Sequence, residues 1–170
     1  MRRRLAALLV LAAAPALALA ATFVATSVEE TARSSEVVAR GRVVSTASRA
    51  TRDGRGIVTE VEIAIESAWK GSPDATVRVV VPGGRLAHVA QIVDAAATFE
   101  DGEEVVVFLA RQGAVWRVMG HALGKYRVEG LDAKPSLEQA VVLQRPLAAG
   151  ERAAGPMPVA ELERRVRAAK

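Results

Sequence analysis

The stretch Ile57–Trp69, IVTEVEIAIESAW, decides how the rest of the chain is read. Every second residue from Ile57 gives Ile57, Thr59, Val61, Ile63, Ile65, Ser67 and Trp69, and the positions between include Glu60, Glu62 and Glu66. Side chains alternate faces along a strand, so one face is apolar and the other acidic and wet; a helix would mix the two sets on every side. The pattern predicts a long antiparallel strand with one face packed on a core.

Upstream, Glu36–Ser45 (EVVARGRVVS) reads as the first strand, running on as a ragged edge through Arg49. Gly41 inside it predicts a bulge or sharp bend. Asp53-Gly54-Arg55-Gly56 is turn chemistry, so the two strands form a long hairpin. Ser27-Val28-Glu29-Glu30 fits a capping box that opens a short helix ending near Arg33. Downstream, Thr76–Val81 is a third strand, stopped by Pro82-Gly83-Gly84. Glu103–Ala110 is apolar on both faces and is expected to be the most buried strand. Ala114–Met119 and Gly124–Glu129 follow as strands, the latter alternating Tyr126 and Val128 with Lys125, Arg127 and Glu129.

The segment Gly83–Asp101 is the least regular. Leu86, Val89 and Val93 are spaced for a helical turn or two, and a connection this long is either functional or holds hidden structure. Ser136–Leu143 reads as a short helix and Pro146–Pro158 as a linker. Val159–Ala168 reads as a helix with Val159, Leu162 and Val166 on one side, and with Glu161/Arg165 and Glu163/Arg167 four apart in the order that suits the helix dipole. It is expected to dock on the end of the β domain; the alternative is a partner-binding helix.

Residues 1–20 have the features of a signal peptide: Arg2-Arg3-Arg4, an apolar run Leu5–Leu19, and the small-x-small site Ala18-Leu19-Ala20. The expected division is 1–20 signal peptide, 21–135 β domain and 136–170 C-terminal helical tail, with no membrane span after cleavage. The whole chain carries 23 Lys+Arg against 19 Asp+Glu; without the three leader arginines the balance is 20 against 19. A near-neutral exported chain gives no reason to invoke nucleic acid. Cysteine is absent, which excludes disulfides, thiol nucleophiles and thiolate metal sites. Asparagine is absent too, so no N-glycosylation sequon exists.

Catalytic signatures are sparse. No G-x-S-x-G occurs, and Gly83-Gly84 lacks the GK[ST] of a phosphate loop. His88 and His121 are the two histidines, and a metal site would need both plus carboxylates such as Asp94 or Glu100. Glu60, Glu62 and Glu66 read as a solvated face pairing with arginines such as Arg40 and Arg42. The aromatics fall mostly at strand positions and read as core.

The run Thr22–Val44, followed by IVTEVEIAIESAWKGS, VRVVVPGG, GEEVVVFL and GKYRVEG, resembles a family of uncharacterised exported bacterial proteins. More distantly, the short helix leading to VVARGRVVS and the hairpin partner ending in WKGS resemble netrin-like and metalloproteinase-inhibitor modules. That resemblance implies a five-stranded oligonucleotide/oligosaccharide-binding (OB) topology with terminal helices. Such inhibitors hold the protease zinc through an N-terminal cysteine, which this chain lacks, so the fold is implied and the inhibitory mechanism is not.

The expectation is therefore a mainly β chain: a single antiparallel β-barrel or strongly curved, OB-like sheet of five to seven strands with short flanking helices. The function expected is that of an exported, non-enzymatic binding or accessory module of the cell envelope, needing no cofactor or metal, whose partner is another exported protein. Its ligand-binding residues would be Arg85, His88 and Gln91 in the long loop, with His121 and Arg55 in nearby turns. The alternatives are a metal-dependent hydrolase using His88 and His121, and a protease-inhibitor-like module without the N-terminal cysteine.

Overall fold

The computed structural model describes residues 22–24, 27–136, 141–143 and 155–169. The expected leader and residues 146–154 of the expected linker lie outside these residues. In chain order the elements are β1 (Thr22–Val24), α1 (Val28–Ser34), β2 (Val37–Ala50), β3 (Ile57–Lys70), β4 (Thr76–Pro82), β5 (Gly84–Leu86) and β6 (Val89–Gln91). Then come β7 (Glu104–Gln112), β8 (Val115–Val118), a 3-10 turn (His121–Gly124), β9 (Lys125–Glu129), β10 (Asp132–Pro135), β11 (Val141–Leu143), β12 (Met157–Pro158) and α2 (Val159–Ala168).

The β2–β3 hairpin runs past its expected ragged end, with pairing continuous to Ala50↔Ile57. β3 pairs with β4, β2 with β7, and β7 with both β8 and β9, all antiparallel. β4 and β8 meet in parallel at Val79↔Trp116. The sheet thus closes a ring in the order β2–β3–β4–β8–β7 and back to β2. On the same edge of β7 as β8, β9 leads outward to β10 and β12, giving eight strands in all. The strand expected near Gly124–Glu129 is present; β10 and the short β1, β11 and β12 were not expected.

β7 separates two cores, as its two apolar faces require. Val105, Val107 and Leu109 join Val61, Ile63, Val77, Val79 and Trp116 inside the ring. Val106 and Phe108 face the other way, onto Val28 and Ala32 of α1, Leu162 and Val166 of α2, and Tyr126 of β9. Ser27 Oγ accepts from Glu30 N at 3.1 Å, the first half of the expected capping box. At the other end of α1, Lys70 Nζ donates to Ala32 O at 2.7 Å, a cation on the negative end of the helix.

The β2–β3 register slips three times, leaving Val44, Glu66 and Trp69 each as an extra residue. Gly41 sits at one slip, where a Cβ would lie 2.3 Å from Ala64 O. Each slip reverses the alternation that follows. Val61 and Ile63 are buried in the ring as the pattern predicts and Ile57 is buried at the start of the strand, whereas Trp69 is turned to the helix side. Val44, exposed by 56%, takes the outward place that alternation from buried Val43 gives it.

The outward face of the ring carries charge pairs. Glu60 meets Arg49 at 2.6 Å, Glu62 meets Arg78 at 3.4 Å, and Glu66 meets Arg42 at 3.8 Å. Arg40, expected to pair with a β3 glutamate, pairs with Glu104 of β7 instead. Such exposed pairs contribute about 0–1 kcal/mol each, so this face is solvated scaffold.

Two expectations for the tail are overturned within the described residues. Val141–Leu143 is not helical but pairs in parallel with β1. Met157–Pro158, taken for linker, pairs antiparallel with β10. Both segments find edge backbone groups to bond, which an isolated sequence window does not reveal. Residues 137–140 and 144–154 lie outside the described residues. α2 packs on the sheet and α1, with Leu162 fully buried.

Candidate functional site

The site begins where Pro82-Gly83-Gly84 ends β4. Gly83 has φ 90° and Gly84 φ 140°, backbone that side chains resist. A Cβ on Gly84 would lie 2.4 Å from both Ser48 Oγ and Thr59 Oγ1, so the chain crosses directly over this hydroxyl pair. Arg85 N donates to Ser48 Oγ at 3.2 Å, the two hydroxyls are 3.0 Å apart, and Thr59 Oγ1 donates to Gly83 O at 2.9 Å. Thr59 has one proton and gives it to a carbonyl, so Ser48 must be the donor between the hydroxyls.

From there the chain forms the β5–β6 hairpin rather than the expected helical turns, with Leu86↔Val89 closing it through Ala87-His88. Backbone pairing, together with the glycine crossing, wins over the i, i+3, i+7 spacing of Leu86, Val89 and Val93. Gln91 Oε1 accepts from Ile57 N at 2.5 Å, and Gly83 N donates to Ile57 O at 2.8 Å, fastening the far foot of the hairpin to the start of β3. Between the hairpin, the ends of β2, β3 and β4, and residues 92–99 lies a cleft of about 350 Å³. Thr46, Ser48 and Thr59 line it on one side; Val81, Pro82, Ile92, Val93 and Phe99 line it on others.

The remainder of the long segment closes the ring. Ala97 is buried in the ring core, with Phe99 packed at its margin. Lys125 Nζ lies 5.0 Å from the Phe99 ring centroid and is bonded to Glu103, whose Oε1 also accepts from Arg127 Nε at 2.7 Å. Glu103 Oε2 accepts from Glu100 N at 3.1 Å, and Arg127 reaches Glu100 at 3.2 Å. Burial pushes the Lys125 ammonium below its ordinary pKa, and the bond to Glu103 works against that push. In the sequence Lys125 stands only as one of the residues alternating with Tyr126 and Val128. Alternation places it correctly opposite Tyr126, but only the loop folding over that face buries it.

Of the five expected site residues, Arg85 and Gln91 line the cleft. Neither His88, exposed in the hairpin turn, nor Arg55, in the β2–β3 turn, does so. His121 opens the 3-10 turn at φ 55°, beside the bond from Ala122 N to Ala95 O. Among the described residues no three His, Asp or Glu side chains are grouped to hold a metal ion. The hydroxyls Thr46, Ser48 and Thr59 were missed: in the sequence they are ordinary strand positions, and the lone signal was Gly83-Gly84, which demands close backbone approach.

No protein-family model matches this chain, and a search of curated proteins finds no match. Among the described residues no helix is long and apolar enough to cross a membrane.

Proposed function

We propose that this chain is an exported, non-enzymatic binding module of the cell envelope, built on an OB-like ring, with the cleft beneath the β5–β6 hairpin as its contact surface. The OB-like reading is supported by the ring order: taking only its five strands, they neighbour one another as first–second–third–fifth–fourth, with the third and fifth parallel. The export reading rests on the leader-like residues 1–20. The observation that carries the binding role is the cleft itself. It is concave, mixed in polarity and held open by a hairpin fastened at both feet, which suits a preformed ligand site.

The test replaces Gly84–Gln91 by a two-residue Gly-Ser connection and compares capture of envelope components with the intact chain. Circular dichroism and thermal melting check that the ring survives. The expected result is a folded variant that has lost what the intact chain captures. A folded variant that captures the same components overturns the proposal.

A further inference from the structure

We infer that the cleft takes an amphipathic monocarboxylate, its carboxylate held by Arg85 and Gln91 and its apolar body lying under the hairpin. This rests on the cleft being the binding surface. What the cleft can offer a ligand is the hydrogen-bonding capacity its own contacts leave over. Thr46 Oγ1 gives its proton to Asp101 Oδ1 at 2.8 Å, Ser48 gives its proton to Thr59, and Thr59 gives its proton to Gly83 O. These three hydroxyl protons are committed; the fourth lining hydroxyl, on exposed Thr98, is an uncharged donor that can add to but not replace a charged contact. Gln91 Oε1 is occupied by Ile57 N, which fixes the amide orientation and leaves its NH₂ to donate. Arg85 is the single ionisable residue lining the cleft.

Arg85 differs from the arginines of the outward face. Arg40, Arg42, Arg49 and Arg78 all meet carboxylates. Among the described residues the Arg85 guanidinium has no ion pair or hydrogen bond, and the same holds for the Arg52 and Arg55 side chains of the β2–β3 turn. That turn adjoins the cleft, since a Cβ on Gly56 would lie 3.4 Å from Gln91 Oε1. Its own carboxylate, Asp53, is engaged by Thr51 Oγ1 at 2.5 Å and Arg55 N at 3.2 Å. The cleft mouth therefore offers N–H donors and positive charge. An acceptor with one negative charge matches it, and a carboxylate matches the guanidinium fork in geometry as well. Apart from Thr98 the remaining lining is apolar, and Ile92, itself a lining residue, is 84% exposed beside the hairpin. These call for an apolar body attached to the carboxylate.

The experiment titrates the full chain with octanoate, octanamide and acetate, following backbone amide shifts by NMR. Octanoate is expected to shift residues of the cleft, with octanamide and acetate each binding about tenfold or more weakly, the factor set by about 1.4 kcal/mol. Arg85→Gln is expected to weaken octanoate about tenfold and leave octanamide unchanged. Gln91→Glu, which keeps the acceptor for Ile57 N and removes the NH₂, should act in the same direction. Equal binding of octanamide and octanoate, or octanoate binding indifferent to Arg85→Gln, overturns the inference while the cleft stands as the binding surface. Absence of octanoate shifts in the cleft also overturns it. The cleft reading itself falls only if the hairpin-shortened variant keeps its envelope capture.

Discussion

Lys125 and Glu103 are buried side by side, at 1% and 5% side-chain exposure. A lone charge would not persist there, because desolvation disfavours it strongly. Glu103 faces two cations, Lys125 and Arg127, so its loss and the loss of Lys125 are not equivalent. Glu103→Gln strands the lysine and is expected to destabilise the fold by about 3–5 kcal/mol in urea titration. Lys125→Met leaves Glu103 with Arg127 and is expected to cost less. Because burial depresses the Lys125 pKa, the unfolded chain binds more protons between the depressed and ordinary values, and stability rises with pH across that window. The Glu103→Gln deficit should therefore shrink toward alkaline pH as the stranded lysine deprotonates. A Glu103→Gln midpoint equal to the parent at neutral pH would contradict the burial described.

At the scale of elements, the β5–β6 hairpin depends on Gly84. Its φ of 140° and the 2.4 Å approach to Ser48 Oγ and Thr59 Oγ1 make Gly84→Ala strained twice over. We expect about 1–3 kcal/mol of lost stability and a disordered cleft, read as a lower melting temperature with shifts at Ser48, Thr59 and Arg85 amides. Gly113→Ala is the control: its φ is 65°, but a Cβ there meets nothing within 4 Å. Its cost should be about 1 kcal/mol, with the cleft unmoved. Equal effects from the two would refute the role given to the crossing. Helix α2 shows what was legible at this scale. Its i, i+3, i+7 apolar side was readable, and Val159, Leu162 and Val166 are the residues that pack. The hairpin was not readable, because its pairing is fixed by anchors to β2 and β3 that lie far away in sequence.

For the molecule as a whole, β7 is shared by both cores, which should make them unfold together. The two tryptophans report separately: Trp69 in the helix-side core and Trp116 in the ring, where it faces Val79 and lies under Arg111 at 4.5 Å. The single-tryptophan variants Trp69→Phe and Trp116→Phe are expected to give urea transitions, followed by fluorescence, that each coincide with that variant's circular dichroism. Fluorescence and circular dichroism separating in either variant would show two cores that unfold independently.

The amino-acid sequence by itself determined the long β2–β3 hairpin, the buried two-faced β7, the glycine-marked bend and the apolar side of α2. These rest on alternation, periodicity and turn chemistry, which act between near neighbours. It also singled out Arg85 and Gln91, through nothing more specific than loop length. Only the tertiary structure decided which face Trp69 takes, that Lys125 is buried, that residues 84–91 form a hairpin, and that a cleft lies beneath it. Each depends on a register slip or a loop meeting a distant strand. The energy of such contacts is set by who the neighbours are, and a local pattern does not contain that.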